Sequence, residues 1–285
     1  FFFKQKTAYE IVDCDWSSDV CSSDLFAFNS PKFDYYKMAV YTAKRINHFL
    51  DLPVTVVTDL DSLPYQRDYN FDETILIEPD KSNKRDWGIW INKGRYQAYE
   101  LSPYDETLLL DTDYMVNSNR LLKTFEYSID FCCHDTTSFL LRPGVPQEHL
   151  SSYSYKTLWA TVVAFRKTKR AEQIFQCLEM VQKNFNHYSF IHNFIGGVYR
   201  NDYALTLALR IANGHTILPG DIIPWNLNHV GKDTRVHKNS NDEFNTEFVI
   251  MGEKTQKGKT RTEYLTIKDT DFHVMKKDNF MELIV

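Results

Sequence analysis

Asp111 and Asp113 are the residues whose type and spacing most clearly suggest chemistry. They close the apolar run Thr107-Leu108-Leu109-Leu110. On an extended strand, side chains at i and i+2 leave the same face, so the two carboxylates sit side by side. Two anions that close repel each other unless a cation stands between them. Hard carboxylate oxygens are what Mg2+ and Mn2+ take as ligands. The competing reading is two ordinary strand-end acids making caps or ion pairs, since a lone Asp-x-Asp is a weak motif. The elements around the pair must decide.

Residues 1–25 are set aside in reading those elements. Lys4 to Ile11 and Asp15 to Leu25 back-translate into DNA that resembles a short-read sequencing adapter, with Val12 and Asp13 in its barcode. The segment has neither the apolar stretch nor the small-residue cleavage site of a signal peptide. The expected organisation is a non-native segment over 1–25 and a single domain over 26–285. The native start is expected to be missing, because Phe26 reads as mid-strand.

In that domain, Phe26-Ala27-Phe28-Asn29 reads as the end of a first strand. Tyr36, Val40, Ala43, Ile46 and Leu50 recur at helical spacing over 33–50. Strands are expected over 53–59, 74–77, 107–111 and 159–165. Helices are expected over 89–101, 118–125, 168–184 and 203–212, the last closed by Asn213-Gly214. Continuous apolar strands alternating with helices predict an α/β fold with a mostly parallel central sheet and helices on both faces. Ligands of such sheets bind beyond the carboxyl ends of the strands, where Asp59, Asp111 and Asp113 stand. Two stretches break the rhythm. Residues 134–157 are expected to be a lid or acceptor loop, and 231–262 a mobile excursion.

Bulk properties narrow the class. The first 25 residues hold two lysines against five acids, so −2 of the formal −5 belongs to the rest. A near-neutral body argues against nucleic acid as partner. No apolar run reaches the ~18 residues of a membrane span. Cys132, Cys133 and Cys177 are odd in number and show no pairing pattern, which suits reduced thiols and a cytoplasmic protein.

From Arg95 the chain runs Arg-Tyr-Gln-Ala-Tyr-Glu-Leu-Ser-Pro-Tyr-Asp-Glu-Thr-Leu-Leu-Leu-Asp-Thr-Asp. This resembles the core of glycosyltransferase family 8, the glycogenin-like enzymes. In that family a basic residue opens a helix, a Leu-Ser/Thr-x-Tyr turn follows, and an apolar strand ends in Asp-x-Asp. The resemblance implies a GT-A (Rossmann-like) fold and a nucleotide-sugar donor, UDP-sugar favoured, held through Mn2+ or Mg2+. It implies transfer of the sugar to a glycan, lipid or protein hydroxyl.

By the same resemblance Asp111 faces the donor and metal, Asp113 binds metal, and Arg95 holds the donor, with Lys93 as its alternative. Asn29 and Ser30 fall in the nucleotide-contacting loop, where the rival reading is a plain turn. Asp59 could meet base or ribose, or form an Asx turn with Asp61. Trp159 and Thr161 stand where the family has Asn and Gly in the strand lining the sugar pocket. Trp159 could stack on a sugar or fill the core. Asp202 is the candidate for donor or acceptor hydroxyls, its rival role being a helix cap. His273 is the candidate third metal ligand, with His229 and His237 as competitors, and Lys276 or Lys277 would pair the diphosphate. His134, His149, His187 and His192 follow no ligand spacing.

Rival classes remain open. A haloacid-dehalogenase-like phosphatase also places Asp-x-Asp after an apolar strand, but usually has Thr or Val where Met115 stands. A nucleotidyltransferase would want a Gly-rich phosphate loop after its first strand, and none is visible. A catalytically inactive sugar-binding relative is the non-enzymatic alternative.

Overall fold

The computed structural model describes residues 21–66, 69–84, 92–127, 130–194, 198–240, 242–256 and 259–284. In chain order the elements begin with β1 (Cys21–Phe26), α1 (Tyr35–Leu50), β2 (Val54–Thr58), β3 (Glu73–Leu76), α2 (Ala98–Leu101) and β4 (Glu106–Leu110). Next come β5 (Tyr114–Met115), α3 (Thr124–Tyr127), β6 (Phe131–His134), β7 (Thr137–Phe139) and β8 (Trp159–Arg166). Then follow α4 (Lys169–Lys183), α5 (Phe185–His192), α6 (Asn201–Ala212), β9 (Leu227–Val230) and β10 (Thr234–Lys238). The chain closes with β11 (Phe248–Gln256), β12 (Lys259–Ile267), β13 (Phe272–Val274) and α7 (Lys277–Leu283).

The central sheet has the order β3-β2-β1-β4-β8-β6. β3, β2, β1 and β4 run parallel, and β8 lies antiparallel between β4 and β6. It is the mostly parallel α/β sheet expected. Alternate residues of β4 feed two cores. Leu108 and Leu110 pack with Ala39, Ile46 and Val54 on the α1 side, and Leu109 packs with Ile174, Leu178 and Leu205 on the α4 and α6 side. A sheet buried on both faces needs apolar residues in both registers, which is why its strands read as unbroken apolar runs.

The helices follow their periodicity. α1 starts where the Asp34 carboxylate accepts the Lys37 N–H at 2.8 Å. α4 starts on Thr168 and buries Ala171, Ile174, Phe175, Leu178 and Val181. Of the helix expected over 89–101, residues 89–91 lie outside the described residues. Residues 93–97 form a 3-10 turn and Ala98–Leu101 a single α turn.

Two expectations are corrected. β1 spans Cys21–Phe26, so the first strand lies earlier than expected, and Ser22, Ser23 and Asp24 of the segment set aside are buried in the middle of the sheet. Residues 231–262 are largely ordered as strands. β10, β11 and β12 form a three-stranded antiparallel sheet that buries Val236, Phe248 and Ile250. Its strands are rich in Lys, Thr and Glu because β12 shows most of its side chains to solvent. That composition hides a strand from a reader looking for apolar runs.

A further sheet, β5-β13-β9-β7, brings distant pieces to the end of β4. Its register sets His273 beside Tyr114 on one side and His229 on the other. Segment 134–157 contributes β7 and then runs irregularly, with a bridge between His149 and Lys156.

Candidate functional site

Beyond Leu110 the chain turns sharply, with Tyr114 N–H donating to the Asp111 carbonyl at 3.0 Å. Asp111 N–H donates to Thr161 O on β8 at 3.0 Å, which fixes the turn to the sheet. Asp113 is thereby turned under β13, whose Val274 N–H donates to the Asp113 carbonyl at 3.1 Å. The two carboxylates and His273 converge, each offering one ligand atom within 4.8 Å of the others. His273 Nε2 lies 3.2 Å from Asp113 Oδ2, and Asp113 and His273 are buried.

Cationic side chains frame the acids. Arg95 Nη1 pairs with Asp111 Oδ1, and Lys277 Nζ pairs with Asp113 Oδ2. Arg95 is 4% exposed. Its 3-10 turn is docked on Asn83, whose Oδ1 accepts the Gly94 N–H at 2.6 Å. A Cβ on Gly94 would stand 2.7 Å from that oxygen, so only glycine lets the turn approach so closely. Asn201 Nδ2 donates to Asn92 O at 3.0 Å and ties the same turn to α6.

Burial pushes the Asp111 carboxyl up, but the charges of Arg95, the larger of the two, and Lys277 outweigh it and hold the group below the usual carboxylate range. Burial pushes the His273 imidazole down, against the raising pull of Asp111 and Asp202. Asp111 is therefore ionised and His273 neutral near pH 7, the forms in which both bind metals. Two carboxylates and one neutral imidazole fit Mn2+ well, and Mg2+ through the oxygens. The 3.2 Å between His273 Nε2 and Asp113 Oδ2 matches the ~3 Å separation of two ligands at right angles around one cation.

These residues line a cavity of about 670 Å3. Its wall also holds Trp159, Thr161, Asp202, Arg200, Glu148 and Lys232. Asp202 Oδ1 accepts the Ala160 N–H at 2.9 Å and Oδ2 takes Arg200 Nη2 at 3.0 Å, so its carboxylate is anchored at the cavity rim. It lies in the first turn of α6 rather than capping it. Glu148 joins Arg200, and accepts Tyr203 Oη–H at 3.0 Å. Trp159 is 5% exposed, and its ring lies 4.8 Å from that of His229.

The structure thus gathers Arg95, Asp111, Asp113, Trp159, Asp202 and His273. Other expected residues stand elsewhere. Ser30 Oγ accepts the Phe33 N–H at 3.1 Å, and Asn29 Oδ1 accepts the Tyr36 N–H at 2.9 Å, so this pair builds the turn into α1. Asp59 accepts the Ser62 N–H at 2.9 Å, a turn closed on Ser62 rather than on Asp61, and pairs with Lys84 at 3.1 Å. Lys93 lines a separate polar cavity. Lys276 caps α7, and its neighbour Lys277 reaches the acids. His229 lies behind His273, and His237 sits on β10. Reading the sequence missed Glu148 and Arg200, which lie 52 residues apart and meet only through the fold.

No protein-family model matches the chain, and no curated protein matches it. Among solved structures, the galactosyltransferase LgtC in complex with donor and acceptor sugar analogs matches at TM-score 0.42 and 13% identity, over 66% of this chain and 70% of that one. The glycosyltransferase GlyE of Streptococcus pneumoniae TIGR4 matches at TM-score 0.37 and 14% identity, over 65% of this chain and 42% of that one. What the site can do rests on its own geometry.

Proposed function

We propose that the chain is a metal-dependent glycosyltransferase that moves a sugar from a nucleoside-diphosphate sugar, UDP-sugar favoured, to an acceptor hydroxyl. One observation carries this reading. Asp111, Asp113 and His273 converge within 4.8 Å at the carboxyl end of β4, in a cavity large enough for a nucleotide sugar. Asp111, Asp113 and His273 would hold Mn2+ or Mg2+, which when bound offsets the charge growing on a departing diphosphate.

The protein groups supply the rest. Arg95 and Lys277 are fixed cations for the phosphate oxygens, both lining the same cavity as the acids. Trp159 and Thr161 bound the sugar end of the cavity. Asp202, anchored by Ala160 and Arg200, faces the donor or acceptor hydroxyls. The acceptor, a glycan, lipid or protein, approaches along the wall built by Glu148 and Arg200. Free cysteines at 132, 133 and 177 suit a cytoplasmic setting. No helix among the described residues is long and apolar enough to cross a membrane.

The test is a screen of nucleotide sugars for metal-stimulated hydrolysis, alongside phosphate monoesters. Manganese-dependent cleavage of a nucleotide sugar is the expected outcome. Release of phosphate from monoesters alone would replace this reading with the phosphatase.

A further inference from the structure

His273 presents one ring nitrogen to the acids and the other to a second buried histidine. Its Nε2 lies 3.2 Å from Asp113 Oδ2, and its Nδ1 lies 3.1 Å from His229 Nδ1. The contact is built into the sheet, because β13 and β9 pair in a register that puts His273 opposite His229. A neutral imidazole carries one N–H. For Nε2 to offer its lone pair to a cation, the hydrogen must stand on Nδ1, and the acceptor facing Nδ1 is His229.

We propose that His229 is a positioning residue: it accepts the Nδ1–H of His273 and so keeps Nε2 of that ring free, and aimed, for the cation shared with Asp111 and Asp113. This rests on the metal reading given under Proposed function. Such outer partners fix both the tautomer and the orientation of a ligating imidazole. His229 suits the part. It is fully buried, and its ring is held between Trp159, centroid 4.8 Å away, and Phe139, at 5.4 Å. The ring nitrogen that faces His273 is Nδ1, so Nδ1 is the accepting nitrogen of a neutral His229. Its own hydrogen then stands on Nε2, which has no hydrogen-bond partner among the described residues. An unpartnered buried N–H costs stability, as expected where a site rather than the fold dictates the arrangement.

Three forms of the chain, titrated calorimetrically with MnCl2, test the proposal. His229→Phe keeps a ring against Trp159 but lacks the acceptor. His229→Asn places a carbonyl oxygen near where Nδ1 stood. Manganese affinity is expected to fall at least about tenfold in His229→Phe and to recover in His229→Asn. Affinity of His229→Phe within about twofold of wild type, at normal wild-type affinity, overturns the role of His229 and leaves the metal site standing. No binding by wild type overturns both. Should His229→Phe fail to fold, nitrogen-15 spectra of the Mg2+-loaded wild type decide. A hydrogen on His273 Nδ1 supports the proposal, and one on Nε2 overturns it.

Discussion

At the scale of single residues, the site is a contest between cations for two carboxylates. Lys277 Nζ pairs with the same Asp113 oxygen that faces His273. The ammonium therefore competes with a divalent ion for Asp113, yet adds positive charge where a diphosphate would lie. The two effects have opposite signs and can be separated. Lys277→Met is expected to bind Mn2+ alone at least as tightly as wild type. It should bind nucleoside diphosphate with Mn2+ about tenfold more weakly, roughly 1.4 kcal/mol. Lys276→Met should change both by less than about twofold, and calorimetry with each ligand checks the pair. The strand reading put Asp111 and Asp113 on one face, but β4 ends at Leu110, and it is the turn from Asp111 to Tyr114 that brings the two acids together. The sequence does not separate Lys276 from Lys277. That choice depends on where β13 ends and α7 begins, and it shifts by a single residue.

Elements carry their own strain, and β1 holds the most telling case. Asp24 lies fully buried between β2 and β4, and burial pushes its carboxyl up to about 7, partly offset by the hydroxyls of Ser102, Ser22 and Thr55. A carboxyl near 3.8 in the unfolded chain and about 7 in the fold holds its proton more tightly when folded. Its burden on stability is absent below pH 3.8, grows as pH rises toward 7, and is complete above that. Asp24→Val should therefore raise the melting temperature at pH 8, by up to ~4 kcal/mol of stability, and much less at pH 4.5. Thermal melts of both forms at the two pH values check this, and an equal effect at both would contradict it. The centre of a doubly covered sheet favours Val, Ile and Leu, so Cys-Ser-Ser-Asp is an ill-suited strand there. That misfit lies in the segment set aside in reading the sequence, five residues of which belong to β1. Elsewhere legibility followed burial. α1, α4 and β4 were readable because burial marks them with a period. β10 to β12 were not, because one exposed face fills them with Lys, Thr and Glu.

Across the whole molecule, the site is assembled from pieces that are remote in sequence. Arg95 comes from a 3-10 turn, Asp111 and Asp113 from the end of β4, Trp159 from β8, Asp202 from α6 and His273 from β13. A mostly parallel sheet collects strand ends on one edge, and the β5-β13-β9-β7 sheet folds the C-terminal histidine back onto that edge. The α/β architecture was legible from the order of elements. The partnership of Glu148 with Arg200, and of His229 with His273, was not, because both are set by tertiary register and leave no local pattern. In the proposed function Asp113, with Asp111 and His273, grips a divalent ion that carries a nucleoside diphosphate. Calorimetric titration of UDP into wild type and Asp113→Asn, with and without Mn2+, tests it most directly. Manganese-dependent binding in wild type, weakened at least about tenfold in Asp113→Asn, is the result expected. UDP binding of equal strength with and without Mn2+, or unchanged by Asp113→Asn, would contradict it.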